Sequence, residues 1–155
     1  MNQDKYKEGV TISPIRNGTV IDHITGGEAL NVLRILGITG STEECVSVAT
    51  HVESHELGTK DVVKIENREL RAEEVDRIAL IAPGATINII RDRRVIDKQG
   101  VEIPDILTGT LRCPNTCCIT NTNEPILSRF TVQGTRFICE YCDTVIGSDI
   151  SSYII

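Results

Sequence analysis

From Cys45 to Val52 apolar and polar residues alternate, with Val46, Val48, Thr50 and Val52 on one side and Ser47, Ala49 and His51 on the other. A period of two predicts a half-buried strand. The period recurs over residues 61–66, where Val63 and Ile65 oppose Val62 and Lys64. Residues 53–59, a loop containing Gly58, join the two runs, so they should pair as an antiparallel hairpin. Upstream, Asn17-Gly18 reads as a turn, and Thr19 to Ile24 reads as a strand with β-branched Val20 and Ile21. Downstream, residues 86–91 set Ile87 and Ile89 opposite Asn88 and Ile90, and residues 94–96 suffice for a short edge strand. The polar residues 1–11 carry no such pattern and read as loosely ordered, while Pro14 favours an extended backbone over Ile12 to Ile15.

Two stretches switch to helical spacing. Residues 28–36 carry Ala29, Leu30, Leu33 and Leu36 on one stripe, follow Gly26-Gly27 and stop at Gly37. Residues 71–82 carry Val75, Ile78, Ala79 and Ala82, with Glu73 and Glu74 at the positive end of the dipole and Pro83-Gly84 as the stop. The resulting order, β-α-β-β-α-β, is the ferredoxin-like pattern. Two helices cover only one face of such a sheet. With the apolar faces turned to the helices, Lys64, Asn88 and Ile90 turn to the open face.

Past residue 100 the pattern changes. Residues 100–109, with Pro104, read as a connector. Phe130 to Val132 and Arg136 to Ile138 read as strands joined near Gly134, and residues 144–146 and 150–155 would complete a small sheet. The fold class is therefore α+β: a ferredoxin-like domain over residues 1–103, then a small all-β domain over 104–155. About 50 residues bury little core of their own. Five of the six cysteines lie here, in Cys113-Pro114-Asn115-Thr116-Cys117-Cys118 and in Cys139-Glu140-Tyr141-Cys142. Two such knuckles about twenty residues apart have the spacing of a tetrahedral Zn²⁺ site. The second knuckle is Cys139 with Cys142; the first is Cys113 with either Cys117 or Cys118. The segment has no histidine, so one structural Cys₄ zinc per chain is expected, closed to water and supplying folding free energy. Disulfides are the weaker reading because no secretory signal is visible, and a redox CxxC is weaker still without βαβ surroundings.

Composition removes other function classes. Net charge is −6, and the split is 13 Lys/Arg against 17 Asp/Glu up to residue 103, then 3 against 5. Neither half has the basic footprint of a nucleic-acid binder, and scarce aromatics give bases little to stack on. A zinc-ribbon protein acting on nucleic acid or the transcription machinery is the alternative reading, which retention on heparin or DNA at low salt would reveal. No apolar run approaches a membrane span and the N-terminus is polar, so a cytoplasmic chain without membrane contact is expected. No Walker A, GxGxxG, HExxH or GxSxG motif occurs. Asp22-His23, with Lys64, would suit a small acid–base enzyme, but neighbours on a strand face opposite ways, which disfavours a dyad. Lys64 is either an exposed charge or a phosphate anchor, and Gly26-Gly27 either turns the chain or offers helix N–H groups to an anion.

Four segments carry a resemblance. Arg16-Asn17-Gly18-Thr19-Val20-Ile21-Asp22-His23-Ile24, Lys60-Asp61-Val62-Val63-Lys64-Ile65-Glu66-Asn67, Ala82-Pro83-Gly84-Ala85-Thr86-Ile87-Asn88 and the Cys113–Cys142 pattern resemble the aspartate carbamoyltransferase regulatory chain family, in order, from Ile12 to the end. The resemblance implies a non-catalytic allosteric subunit of pyrimidine synthesis. It would bind CTP and ATP (and UTP as a further candidate), pair as a homodimer through a sheet edge or the strand near Cys45 to Val52, and bridge trimers of the catalytic chain through its zinc domain. It implies a nucleotide site of Asp22, His23, Lys64, Asn88, Ile90 and Lys98 with backbone contacts at Ile12 and Ile15, Lys60 being a weaker candidate. The family's zinc spacing selects Cys113, Cys118, Cys139 and Cys142 and leaves Cys117 spare. Ser13-Pro14 and Arg93 depart from the family pattern where base preference is set, and Arg71 stands where a capping serine can occur.

Overall fold

A computed structural model describes residues 15–55 and 58–155. The first half has strands β1 (Gly18–Thr25), β2 (Val46–Ser54), β3 (Gly58–Glu66), β4 (Thr86–Arg91) and β5 (Arg94–Gly100) and helices α1 (Ala29–Ile35) and α2 (Ala72–Ile81). The sheet order is β2-β3-β1-β4-β5, every pair antiparallel. This is the ferredoxin-like order with a fifth strand at the far edge, longer than the three residues expected. β4 and β5 are joined by Asp92 and Arg93, both left-handed (φ 50° and 65°), as a two-residue hairpin turn requires. Residues 1–11 and the extended segment expected at Ile12 to Pro14 lie outside the described residues.

Both helices pack on one face. Ile21, Ile24, Val63, Ile65 and Ile87 are fully buried against Ala29, Val32, Ile78, Ala79 and Ala82. Burying such a side chain stabilises by about 1.5–3 kcal/mol. One charged residue sits among them. Asp61 is fully buried, and its Oδ2 accepts hydrogen bonds from the Gly27 (3.0 Å) and Ala29 (2.9 Å) N–H groups at the start of α1. Its Oδ1 accepts the His51 N–H of β2 at 2.9 Å. Helix α1 has no side-chain cap of its own, so a carboxylate from β3 neutralises its positive end.

Asp61 also explains two departures from the sequence pattern. The β2 alternation breaks at a register shift between Ala49 and Val52, where left-handed His51 (φ 54°) turns its N–H inward. Val52, past the shift, and Val48, on the edge strand before it, are exposed, 37% each, and Val46 alone of the expected apolar side packs on the core. Helix α1 is anchored at Ala29, so Ala29, Val32 and Leu36 face inward and Leu30, expected on the buried stripe, is 71% exposed. Helix α2 follows its expected stripe. Its cap is supplied by buried Glu74, which accepts the Arg71 N–H at 3.1 Å and an Arg68 guanidinium at 2.6 Å. Arg68 also donates to Leu36 O at 2.9 Å, fastening the end of α1 to the start of α2. Burial pushes the Glu74 carboxyl up, but the Arg71 N–H and the Arg68 guanidinium outweigh it and hold it below its ordinary value.

The second half is a four-stranded antiparallel sheet of β6 (Ile106–Thr108), β7 (Arg129–Gln133), β8 (Arg136–Cys139) and β9 (Val145–Ile146), in that order. Strand β6 lies in the stretch expected to be a connector; pairing Leu107 with Phe130 buries both. Residues 150–155 do not form a strand. Asp149 is left-handed (φ 57°) and turns the chain into a 3-10 helix over Ile150–Tyr153, after which Ile154 bridges Leu111. Leu80 of α2 joins this second core, and Ile103, Ile150 and Ile154 pack against both cores.

Asp61→Ala leaves three backbone N–H groups without their acceptor, that of Ala29 fully buried. It should lower stability by about 3 kcal/mol or more in urea unfolding, whereas Leu30→Ala, at an exposed position, should change it by under about 0.5 kcal/mol.

Candidate functional sites

The cysteine segment folds so that four sulfurs converge. Cys113 and Cys118 flank a turn in which the Cys118 N–H bonds Asn115 O at 3.0 Å, and Cys139 and Cys142 flank the turn after β8, closed by the Asp143 N–H on Cys139 O at 2.9 Å. The Cys113 and Cys142 sulfurs lie 3.5 Å apart, those of Cys118 and Cys139 lie 3.8 Å apart, and all four fall within 4.8 Å of one another. A tetrahedron with metal–sulfur bonds of about 2.3 Å has edges of about 3.8 Å, so the cluster fits a tetrahedral ion. Cys118 is thus the member of the adjacent pair that turns inward. Cys117 is exposed, its N–H donating to Asn115 Oδ1 at 3.0 Å.

Outer contacts hold the knuckles. Asn121 Nδ2 donates to Cys113 O (2.8 Å) and Asn115 O (2.7 Å), Thr120 Oγ1 donates to Cys118 Sγ at 3.2 Å, and Thr144 Oγ1 lies 3.1 Å from Cys142 Sγ. Before a metal binds, the thiols are unequal. Burial, together with neighbouring thiols, pushes Cys113 up to about 12, and burial also raises Cys139. Hydrogen bonds from the Thr144 side chain and backbone draw Cys142 down to about 6. Cys142 is therefore already a thiolate at neutral pH, while Cys113 must give up a proton to a metal.

The other group of expected residues lies across the sheet face away from the helices. The registers align Ser47 with Lys64, Lys64 with Val20, Val20 with Asn88 and Asn88 with Lys98, one row spanning all five strands. Ile90, opposite Gly18 and Val95, extends the same face by one apolar step. Lys64 and Lys98 have no carboxylate partner among the described residues, whereas Lys60 is bound to Asp22 at 2.8 Å. Burial pushes the Asp22 carboxyl up, but the Lys60 ammonium and the His23 N–H (2.6 Å) outweigh it and hold it low. The Lys60–Asp22 pair is thus neutral overall; Lys64 and Lys98 are the further cations of the face, and Glu66, opposite Gly18, is a carboxylate at its edge.

Asp22 and His23 do not obey strict alternation. A β-bulge between Ile21 and Ile24, with His23 left-handed (φ 55°), brings the two side chains together, His23 Nδ1 lying 4.0 Å from Asp22 Oδ2 and 3.4 Å from Thr86 Oγ1. The premise that neighbours must face apart fails here because the bulge inserts a residue. Ile15 is buried, yet it belongs to neither core; Ile12 lies outside the described residues. Val20, Thr86 and Ser47 share the face and were not singled out from the sequence. The strand period points to all three once pairing with Lys64 or Asp22 is known. Among the described residues no helix is long and apolar enough to cross a membrane.

Comparison with known proteins covers both halves. The model of the aspartate carbamoyltransferase regulatory chain, allosteric domain, matches residues 10–102, and that of the metal binding domain of the same chain matches residues 105–152. An aspartate carbamoyltransferase regulatory chain of Methanospirillum hungatei is 68% identical over the whole of both chains, and one of Methanoculleus marisnigri is 65% identical over the whole of both. One of Haloarcula marismortui is 57% identical over 93% of each.

Two outcomes test the metal centre. Cys118→Ser should abolish stoichiometric metal content, read by elemental analysis, and Cys117→Ser should leave it intact. Metal affinity should fall as pH falls, because protons return to the thiolates. Uptake at pH 7.5 should release protons with Cys113 and Cys139 among the donors, measurable by calorimetry in buffers of different ionisation enthalpy.

Proposed function

The chain belongs to the aspartate carbamoyltransferase regulatory chain family, and from that premise we propose that it binds CTP and ATP on the open sheet face and bridges catalytic trimers. Its relatives are named as regulatory chains, and its first half matches the allosteric domain, so it is not the catalytic subunit. The observation that supports the nucleotide reading best is the Lys64–Val20–Asn88–Lys98 row. A chain of net charge −6 repels a triphosphate at long range, so Lys64 and Lys98, without a carboxylate partner among the described residues and beside a neutral Lys60–Asp22 pair, are where phosphate charge would be offset. The apolar end at Val20, Ile90 and Val95 would meet the base. Ile15, and Ile12 beyond it, would supply backbone groups to the base edge. Asp22 and His23, brought together by the bulge, would contact the ribose or phosphate. UTP is a third candidate for the same face.

The division at residue 103 assigns the nucleotide to the first half and docking on the catalytic chain to the second. Zn²⁺ is the ion proposed for the four cysteines, since an all-thiolate tetrahedral set favours it, and four protein ligands leave it no substrate position. Its contribution is to tie the two knuckles and hold the small second core together. The homodimer is assigned to the β2 edge, where Val48, Val52 and Leu30 are exposed. A nucleotide alters enzyme activity only by favouring one quaternary arrangement over another, so affinity and response are separable.

Lys64→Ala should weaken CTP and ATP together by roughly ten- to hundredfold, about 1.5–3 kcal/mol, in titration calorimetry at matched salt. It should also flatten both responses of the assembled enzyme and leave the isolated catalytic trimer unchanged. Wild-type affinity for both nucleotides would overturn the site.

A further inference from the structure

Beyond the Ile90 end of the open sheet face, the turn joining β4 to β5 borders a cavity of about 330 Å³ lined by Arg16, Asp92 and Arg93. The turn is held from beneath. The Asp92 N–H donates to Asn17 Oδ1 at 3.0 Å, and the Arg93 N–H donates to Arg16 O at 2.8 Å. Arg16 Nη2 lies 3.8 Å from Asp92 Oδ1, near enough to orient the carboxylate. The Asp92 side chain is nevertheless 84% exposed, so its oxygens stay open to a further partner. Among the described residues no carboxylate pairs with Arg93. Strand alternation keeps Arg91 out of this group: it lies on the helix side with Ile89, where Glu69 holds it at 2.7 Å. Next to the turn, Ile90 faces Val95 across the ladder, and Val95 is 58% exposed, which makes an apolar shelf open to solvent. Asp92 follows Asn88 of the Lys64–Lys98 row by four residues, about 13 Å at about 3.3 Å per residue, a separation that an extended nucleoside triphosphate spans.

We propose that this turn reads the base of the bound nucleotide and that the base it fits best is guanine, with Asp92 and Arg93 setting the specificity. The proposal rests on the reading that the open face binds nucleotides, and it adds guanine nucleotides to the ligands of that face. Guanine presents two adjacent donors, N1–H and the N2 amine, which match the two oxygens of one carboxylate. On the adjoining edge it presents two acceptors, O6 and N7, which match two N–H groups of one guanidinium. Asp92 and Arg93 are adjoining residues on one rigid turn and carry those two complements side by side. Adenine and cytosine set a ring-nitrogen acceptor beside their amine, so one Asp92 oxygen would face a lone pair. Uracil flanks its single N–H with carbonyls. Each of these bases gains the Ile90–Val95 shelf but leaves Asp92 half-paired. A site built to hydrogen-bond its ligand rejects an analogue without the matching groups more strongly than an apolar pocket rejects a wrong shape. Arg16 and Arg93 together outweigh the one carboxylate, so the base end adds no repulsion to a triphosphate held by Lys64 and Lys98.

The test titrates the full-length, metal-loaded chain with GTP, ATP, CTP and xanthosine triphosphate by calorimetry, with the melting temperature as the control for folding. GTP should bind the wild-type chain about tenfold more tightly than ATP or CTP. Asp92→Asn should weaken GTP about tenfold and leave ATP and CTP within about twofold. The same variant should bind xanthosine triphosphate more tightly than the wild-type chain does. Its amide can donate to the C2 carbonyl that replaces the guanine amine while it accepts from N1–H, an exchange of preference that a merely structural role for Asp92 would not produce. Arg93→Ala should likewise weaken GTP about tenfold. If ATP and CTP bind and GTP binds no more tightly, or if Asp92→Asn weakens all nucleotides alike, the guanine inference is overturned and the nucleotide reading stands. If a preference for GTP survives both substitutions, the base is read elsewhere and the assignment to this turn is overturned. If no nucleotide binds, or if Lys64→Ala leaves every affinity at the wild-type value, the reading of the face fails and takes the inference with it.

Discussion

Among the described residues no cation pairs with the buried Asp61 carboxylate, which accepts three backbone N–H groups from two other elements. The first half is arranged around those three bonds. They fix where α1 begins, which of its residues face inward, and where β2 leaves regular pairing. Because side chains alternate along β3, the strand that turns Asp61, Val63 and Ile65 into the core turns Lys60, Val62 and Lys64 out to the open face. A shift of one residue in β3 would bury the lysines and expose the anchor. Core and open face are therefore specified by one register, and any ligand that relied on Lys64 would rely indirectly on Asp61.

The fold class, the order of the elements along the first half and the presence of two cysteine knuckles are legible because each rests on local spacing. A period of two, a period of 3.6 and paired knuckles survive almost any tertiary context. What was illegible depends on partners distant in sequence. Leu30 and Val32 are both apolar, and nothing between residues 28 and 36 says which one the sheet will cover; Asp61, some thirty residues on, decides it. The bulges at His23 and His51 cannot be read from residues that are ordinary in strands. Asp61 itself looked like the polar start of a strand. The last six residues are expected to complete the small sheet, but Ile150 and Ile154 pack against both cores, and a strand would reach only one. Choosing Cys118 over Cys117 needed the family's spacing, since both satisfy the metal's requirements on paper.

The two halves are joined by packing as well as by the chain. Helix α2 turns Ile78, Ala79 and Ala82 to the first sheet and Leu80 to the second, while Ile103, Ile150 and Ile154 touch both cores. Arg34 of α1 donates to Ser151 O at 3.0 Å, and Arg77 of α2 donates to Ile155 O at 3.1 Å, so both helices grip the final segment. These contacts supply a continuous apolar path from the helix layer behind the open sheet face to the sheet that carries the sulfurs. A shift of α2 relative to its sheet therefore could not occur without repacking Leu80. That is the physical condition for coupling between distant sites, although coupling itself is a free energy and not a distance.

The dual role of Ile150 and Ile154 has a consequence for timing on the ribosome. A domain that is complete at residue 103 could in principle fold as soon as that residue clears the exit tunnel, but here part of its apolar covering is translated almost fifty residues later. At ordinary elongation rates that interval is roughly three to ten seconds, long compared with helix or hairpin formation. During that interval the nascent first half presents uncovered apolar surface beside α2, where a chaperone or another nascent chain can bind. The segment that finishes both cores is thus also the one whose late arrival sets how long the chain is vulnerable.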